Sequence, residues 1–98
     1  MSDETIETII TMLEEKIARN GAPDFPVKLA IRDHTPIIID QTGVKQQEGD
    51  GEITVHVSAE NLVGTLTGKI NPAMAFIAGK IVVEGDNRKA SALKSILI

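Results

Sequence analysis

The sequence predicts an α+β domain, an antiparallel or mixed sheet covered by helices on one side only. Two observations predict it. Strand-like segments alternate in polarity, most cleanly where Ile53, Val55 and Val57 take one face and Thr54 and His56 the other. Segments with helical spacing surround them, so the element order reads α-β-β-β-β-α-α-β-α. The 98 residues suit one small domain spanning 1–98, with no repeat, low-complexity tract or linker.

The first element is a helix from about Ser2 to Asn20. Ser2 caps it, Asp3, Glu4 and Glu7 sit at its positive end, and Lys16 and Arg19 sit at its negative end. Ile6, Ile9, Ile10, Leu13 and Ile17 form an apolar stripe about 100° wide. Gly21 to Pro26 breaks the helix and leads into a strand, Val27 to Arg32, with Val27, Leu29 and Ile31 on one face. Asp33-His34-Thr35 is a tight connection, and Pro36 opens a second strand, Ile37 to Gln41. Thr42-Gly43 turns into a polar strand around Val44 to Glu48, expected at a sheet edge. Gly49-Asp50-Gly51 then precedes the alternating strand Glu52 to Ser58.

Ser58 caps a helix through about Thr67, with Ala59, Leu62, Val63 and Leu66 as its inner stripe. Asn71 caps the next helix, and Pro72 fits its first position, where a missing N–H costs nothing. Gly79 ends that helix after about two turns, and a strand, Lys80 to Glu84, follows with Ile81 and Val83 facing in. Asp86 caps a last helix, Asn87 to Ile98, whose Ala90, Leu93, Ile96 and Leu97 share a face. The helix from Ala73 to Ala78 has no polar side chain: Met74, Ile77 and Ala78 share one side, and Phe76 points nearly opposite. Burial all round is therefore expected, with one side on the sheet and the other against more protein or a bound apolar ligand.

Composition excludes several functions. Hydrophobic residues make up 42% of the chain but only Phe25 and Phe76 are aromatic, so the core is aliphatic and lacks stacking platforms for bases. A net charge of −4 without a Lys/Arg block argues against nucleic acid. The absence of cysteine removes disulfides, Cys-ligated zinc and thiol catalysis. His34 in a turn and His56 on an outer strand face make no catalytic or metal constellation, and no carboxylate pair stands out. Gly64 to Lys69 fails the phosphate-loop spacing. No enzyme, cofactor or metal is expected. An acidic N-terminus, with no spanning segment and no targeting tripeptide, leads to a cytoplasmic expectation. Lys69 and Lys80 each follow a glycine at the rim of the apolar helix, where they either meet a carboxylate or phosphate headgroup or snorkel.

The run from Leu62 to Asp86 closely resembles the signature of the sterol carrier protein type two family. The matching residues are Gly68, Lys69, Asn71, Pro72, Ala75, Phe76, Gly79, Lys80, Gly85 and Asp86. The resemblance implies a five-stranded mixed, mostly antiparallel sheet covered on one face by helices, with an apolar tunnel between the layers. It also implies binding of sterols, fatty acids, fatty acyl-CoA, phospholipids or isoprenoid quinone precursors, by a carrier or by a lipid-presenting module of a larger enzyme. Longer members of that family continue past the last helix with a tail that helps close the tunnel. This sequence ends at Ile98, so its tunnel is expected to be shallower, open at one end, or closed by another subunit.

The leading expectation is non-catalytic binding and transfer or presentation of a lipid or other long apolar molecule. Burying about 15 methylenes yields roughly 12 kcal/mol gross, before ordering costs. The expected ligand contacts are Ile9 and Leu13 from the first helix, Leu62, Leu66 and Ile70, then Met74, Phe76 and Ile77, with Leu93 and Leu97 closing the far side. Each serves equally well as plain core. The alternative is a protein–protein interaction or dimerisation module with a filled core and no ligand. Transient membrane contact, a homodimer, or a larger lipid-processing enzyme complete the expected partners.

Overall fold

A computed structural model describes residues 3–86, 88–89 and 93–97. Helix α1, Asp3–Asn20, leads into strands β1 (Val27–Ile31), β2 (Ile37–Asp40), β3 (Gly43–Gln46) and β4 (Ile53–Val57). Helices α2 (Ala59–Leu66) and α3 (Pro72–Ile77), strand β5 (Ile81–Gly85) and helix α4 (Leu93–Leu97) follow. The five strands form one sheet in the order β3-β2-β1-β4-β5. Strands β1 and β4 run parallel, and every other neighbouring pair is antiparallel. The polar strand is at an edge, as its composition predicts, and β5 forms the other edge.

Alternation dictates which face is covered. In β1, Val27, Leu29 and Ile31 are buried while Lys28 and Ala30 are only partly so, and β4 buries Ile53, Val55 and Val57. Those residues meet Ile6, Ile9 and Leu13 of α1, Leu62 and Leu66 of α2, and Leu93, Ile96 and Leu97 of α4 in one aliphatic core. Helix α1 packs against α2, α4 and β3. Among the described residues no helix is long and apolar enough to cross a membrane.

The expected bounds of β3 move. Strand β3 begins at Gly43 because Asp40 Oδ1 accepts from both the N–H and the hydroxyl of Thr42, at 2.8 and 2.5 Å. That tight turn pairs Asp40 directly with Gly43, so the ladder restarts one residue early and closes at Gln46. The last helix is described only from Leu93; the expected start at Asn87 and the face position Ala90 lie outside the described residues. Asp86 does accept from a following N–H, that of Arg88, at 2.8 Å. Lys89 then pairs with Glu52 and stands 5.4 Å from the Phe25 ring centroid, tying this turn to the start of β4.

Candidate functional site

The segment from α2 to β5 is built by three local devices. Ser58 Oγ accepts from the Asn61 N–H at 3.1 Å and starts α2. Asn71 Oδ1 accepts from the N–H groups of Ala73 and Met74, at 2.9 and 3.3 Å, and starts α3. Gly79, at φ 77°, turns the chain out of α3 so that the Lys80 N–H reaches the Ala75 carbonyl at 2.9 Å. A β-carbon would strain that backbone.

Helix α3 does not sit as its composition predicts. Ala75 is its one buried residue, at 2% exposure, and it points into the core. At about 100° per residue, Met74 and Phe76 stand to either side of Ala75, and Ile77 stands nearly opposite. Their exposures follow that order of angles: Phe76 41%, Met74 62% and Ile77 82%. The expected all-round burial is therefore overturned. Within the sheet, α3's strand neighbour is β5, which is an edge strand. No described element lies over the outward side of α3 to form a second layer.

The ten expected contacts fall into three groups. Ile9, Leu13 and Leu62 have no accessible surface at all, and Leu93 keeps 4%. A water-filled passage would leave accessible area on its walls, so none runs past the first three. Leu66, Ile70 and Leu97 come together in a cleft of about 500 Å³ where α2 hands over to α3, with Lys16, Thr67 and Lys69 at its polar border. Met74, Phe76 and Ile77 stand on the exposed arc. Helix positions alone did not separate these groups, because each depends on what the far side of the helix meets.

A second cleft, of about 670 Å³, lies on the sheet's other face and begins where α3 ends. Lys28, Arg32, His34, His56, Lys80 and Val82 line it, and no carboxylate does. His56 and Val82 are register partners on β4 and β5, and Ala30 on β1 opposes His56. Glu84 is turned onto His56 Nε2. The sequence reading missed this grouping apart from Lys80; the outward phase of Lys28 and Arg32 on their strand was the available signal. Among the described residues no group of three or more His, Asp or Glu side chains is placed to hold a metal.

The model of the SCP-2 sterol transfer family matches residues 14–97. The chain belongs to that family. Its fold is that of solved family structures. Sterol carrier protein 2 like 2 from Aedes aegypti superposes with a TM-score of 0.72 at 27% identity, over 97% of each chain. Sterol carrier protein domain 2 of Helicoverpa armigera gives 0.78 at 20% identity, over 99% of this chain and 90% of that one. Sterol carrier protein 2 from Aedes aegypti, solved in complex with the C16 fatty acid palmitate, gives 0.77 at 15% identity, over 99% and 96%. No curated protein sequence matches the chain.

Proposed function

We propose that this sterol-carrier domain binds a long-chain lipid of the fatty-acid type and transfers or presents it without catalysing a reaction. The observation that carries the reading is the exposed apolar arc of α3 beside the Leu66–Ile70–Leu97 cleft. Contiguous exposed apolar surface marks a binding site more often than chance placement does. Helix α3 is also lightly held. One fully buried methyl, worth about 1 kcal/mol, and the partly covered Phe76 ring fix it to the core, together with its cap and flanking turns. An acyl chain that enters beneath α3 replaces the apolar cover that lifting the helix removes from the core. Family membership and the palmitate complex of a similar fold support the same reading.

A second reading, an interaction module with a filled core, is favoured by the closed packing at Ile9, Leu13, Leu62 and Ile96, all at 0% exposure. Titration with a fluorescent fatty acid separates the two. Saturable one-to-one uptake, displaced by palmitate, is the expected result. Absence of saturable uptake of both fatty-acid and sterol probes, with a folded protein, favours the module.

A further inference from the structure

Charge is distributed unevenly around α3. The stretch from Asn61 to Val83 contains no Asp or Glu, and its two charged residues are Lys69 and Lys80, one on each side of the helix. Both are exposed, and neither has an ion-pair partner among the described residues. The rest of the molecule is acidic enough to bring the net charge to −4. Helix α1, on the helical layer, presents exposed Glu7, Glu14 and Glu15. A negatively charged surface therefore repels most of this protein and attracts the part that carries α3.

The same part offers apolar residues that water solvates poorly. Ile77, Met74 and Phe76 point outward between the two lysines, and Val82, 49% exposed, follows on β5. The acid-free cleft beside Lys80 adds Lys28 and Arg32, which likewise have no ion-pair partner among the described residues. Glu84, the carboxylate closest in register to Val82 on β5, is engaged by His56. Cations around an apolar tip match the interface of a bilayer, where lysine stems lie along hydrocarbon and their ammonium groups meet phosphate.

We propose that the α3 face docks this domain on membranes containing anionic phospholipids, with Ile77 and Met74 entering the acyl boundary and Lys69, Lys80 and Arg32 meeting headgroup phosphates. Docking in this way places the α3 edge, not α1, against the bilayer. It does not depend on uptake of a lipid into the interior, because the contact is made by surface residues.

Flotation of the purified protein with vesicles tests it, with no other apolar ligand added. Vesicles of phosphatidylcholine alone are compared with vesicles containing roughly one-third phosphatidylglycerol. Binding to the anionic vesicles at least about tenfold tighter, weakening as salt rises from about 50 to 500 mM, is expected. Ile77→Ser and Lys80→Glu should each reduce that binding about fivefold or more, while Glu14→Gln should not reduce it. Melting curves of all the variants should overlay that of the wild type, since the altered side chains are exposed. Equal binding to both vesicle types, or undiminished binding by both α3-face variants, overturns the proposal. So does a wild-type dimer in sedimentation that Ile77→Ser dissociates, which would assign the face to a second copy.

Discussion

Ile70 lies over the backbone of Gly64: a β-carbon at position 64 would stand 2.5 Å from Ile70 Cδ1 and 2.8 Å from its Cγ1. The Gly64 carbonyl also accepts from the N–H groups of both Lys69 and Ile70, at 2.8 and 3.0 Å. The α2-to-α3 connection thus folds back onto a residue inside α2, and glycine is what lets it approach. Gly64→Ala gains about 1 kcal/mol in helix propensity but overpacks at a cost of about 1–3 kcal/mol. A net loss of about 1 kcal/mol is expected from urea unfolding. In an Ile70→Ala background the obstructing atoms are gone, leaving the retained β-carbon at an ordinary 3.6 Å. There the same substitution should stabilise. An unchanged sign between the two backgrounds would show that the contact carries no strain.

Ala75 and Ile77 make a matched pair on α3, one at 2% and the other at 82% exposure. Ala75→Leu forces extra methylenes into a filled core and should cost about 1–3 kcal/mol. Ile77→Ser should change stability by no more than about 0.5 kcal/mol, since the side chain already faces water. It should also lower binding of a surface-sensitive apolar dye. A large stability loss on Ile77→Ser would mean that α3 is covered in solution.

The contrast between those two residues marks what was legible in the sequence. Ser58, Asn71 and Gly79 announce their helix ends by local chemistry, and local chemistry is what single-sequence reading resolves. The inward phase of Ile53, Val55 and Val57 is equally local. The polarity of β3 put it correctly at an edge. The exposure of Ile77 is not local. It follows from the parallel β1–β4 pairing, in which Val27 meets Ile53 and Ile31 meets Val57, because that pairing sends β5 to the rim and leaves α3 uncovered. The resemblance supplied the tunnel and the lipid expectation, but residue composition states what a helix would prefer to touch, not what is there. The cationic cleft is hidden for the same reason. Lys28, Arg32 and Lys80 are far apart in the chain and meet only through strand order.

Two carboxylates set an acid dependence. Hydrogen bonds from the Thr42 hydroxyl and then its N–H hold Asp40 below the ordinary carboxylate range. Those from the Arg88 backbone and then its side chain do the same for Asp86. A depressed folded value means that the unfolded chain binds its proton first as pH falls. The stabilisation is therefore present at neutral pH and is lost as pH drops through the folded values. Asp40→Asn and Asp86→Asn keep an acceptor but remove the charge. Each should melt below the wild type at about pH 7, and the gap should close toward about pH 2.5. A gap of constant size would assign the effect to geometry and not to ionisation.

Leu62 and Thr67 differ in what they report on uptake. Leu62 has no accessible surface, whereas Thr67 is exposed and borders the cleft that Leu66, Ile70 and Leu97 floor. Leu62→Ala should cost about 2–5 kcal/mol of stability, because the aliphatic core cannot collapse fully around the gap. An apolar gap stays dry and accepts apolar guests, so fatty-acid uptake by the folded fraction should hold or improve. Thr67→Trp gives up the hydroxyl's bonds to the Val63 and Gly64 carbonyls, at 2.8 and 3.3 Å, and places a large ring at the cleft. Its stability should stay within about 1 kcal/mol of the wild type, while fatty-acid affinity falls about tenfold or more. The two variants therefore separate interior room from access. If Thr67→Trp binds as the wild type does and Leu62→Ala alone alters affinity, the ligand enters elsewhere and the cleft at the α2–α3 junction is not its route.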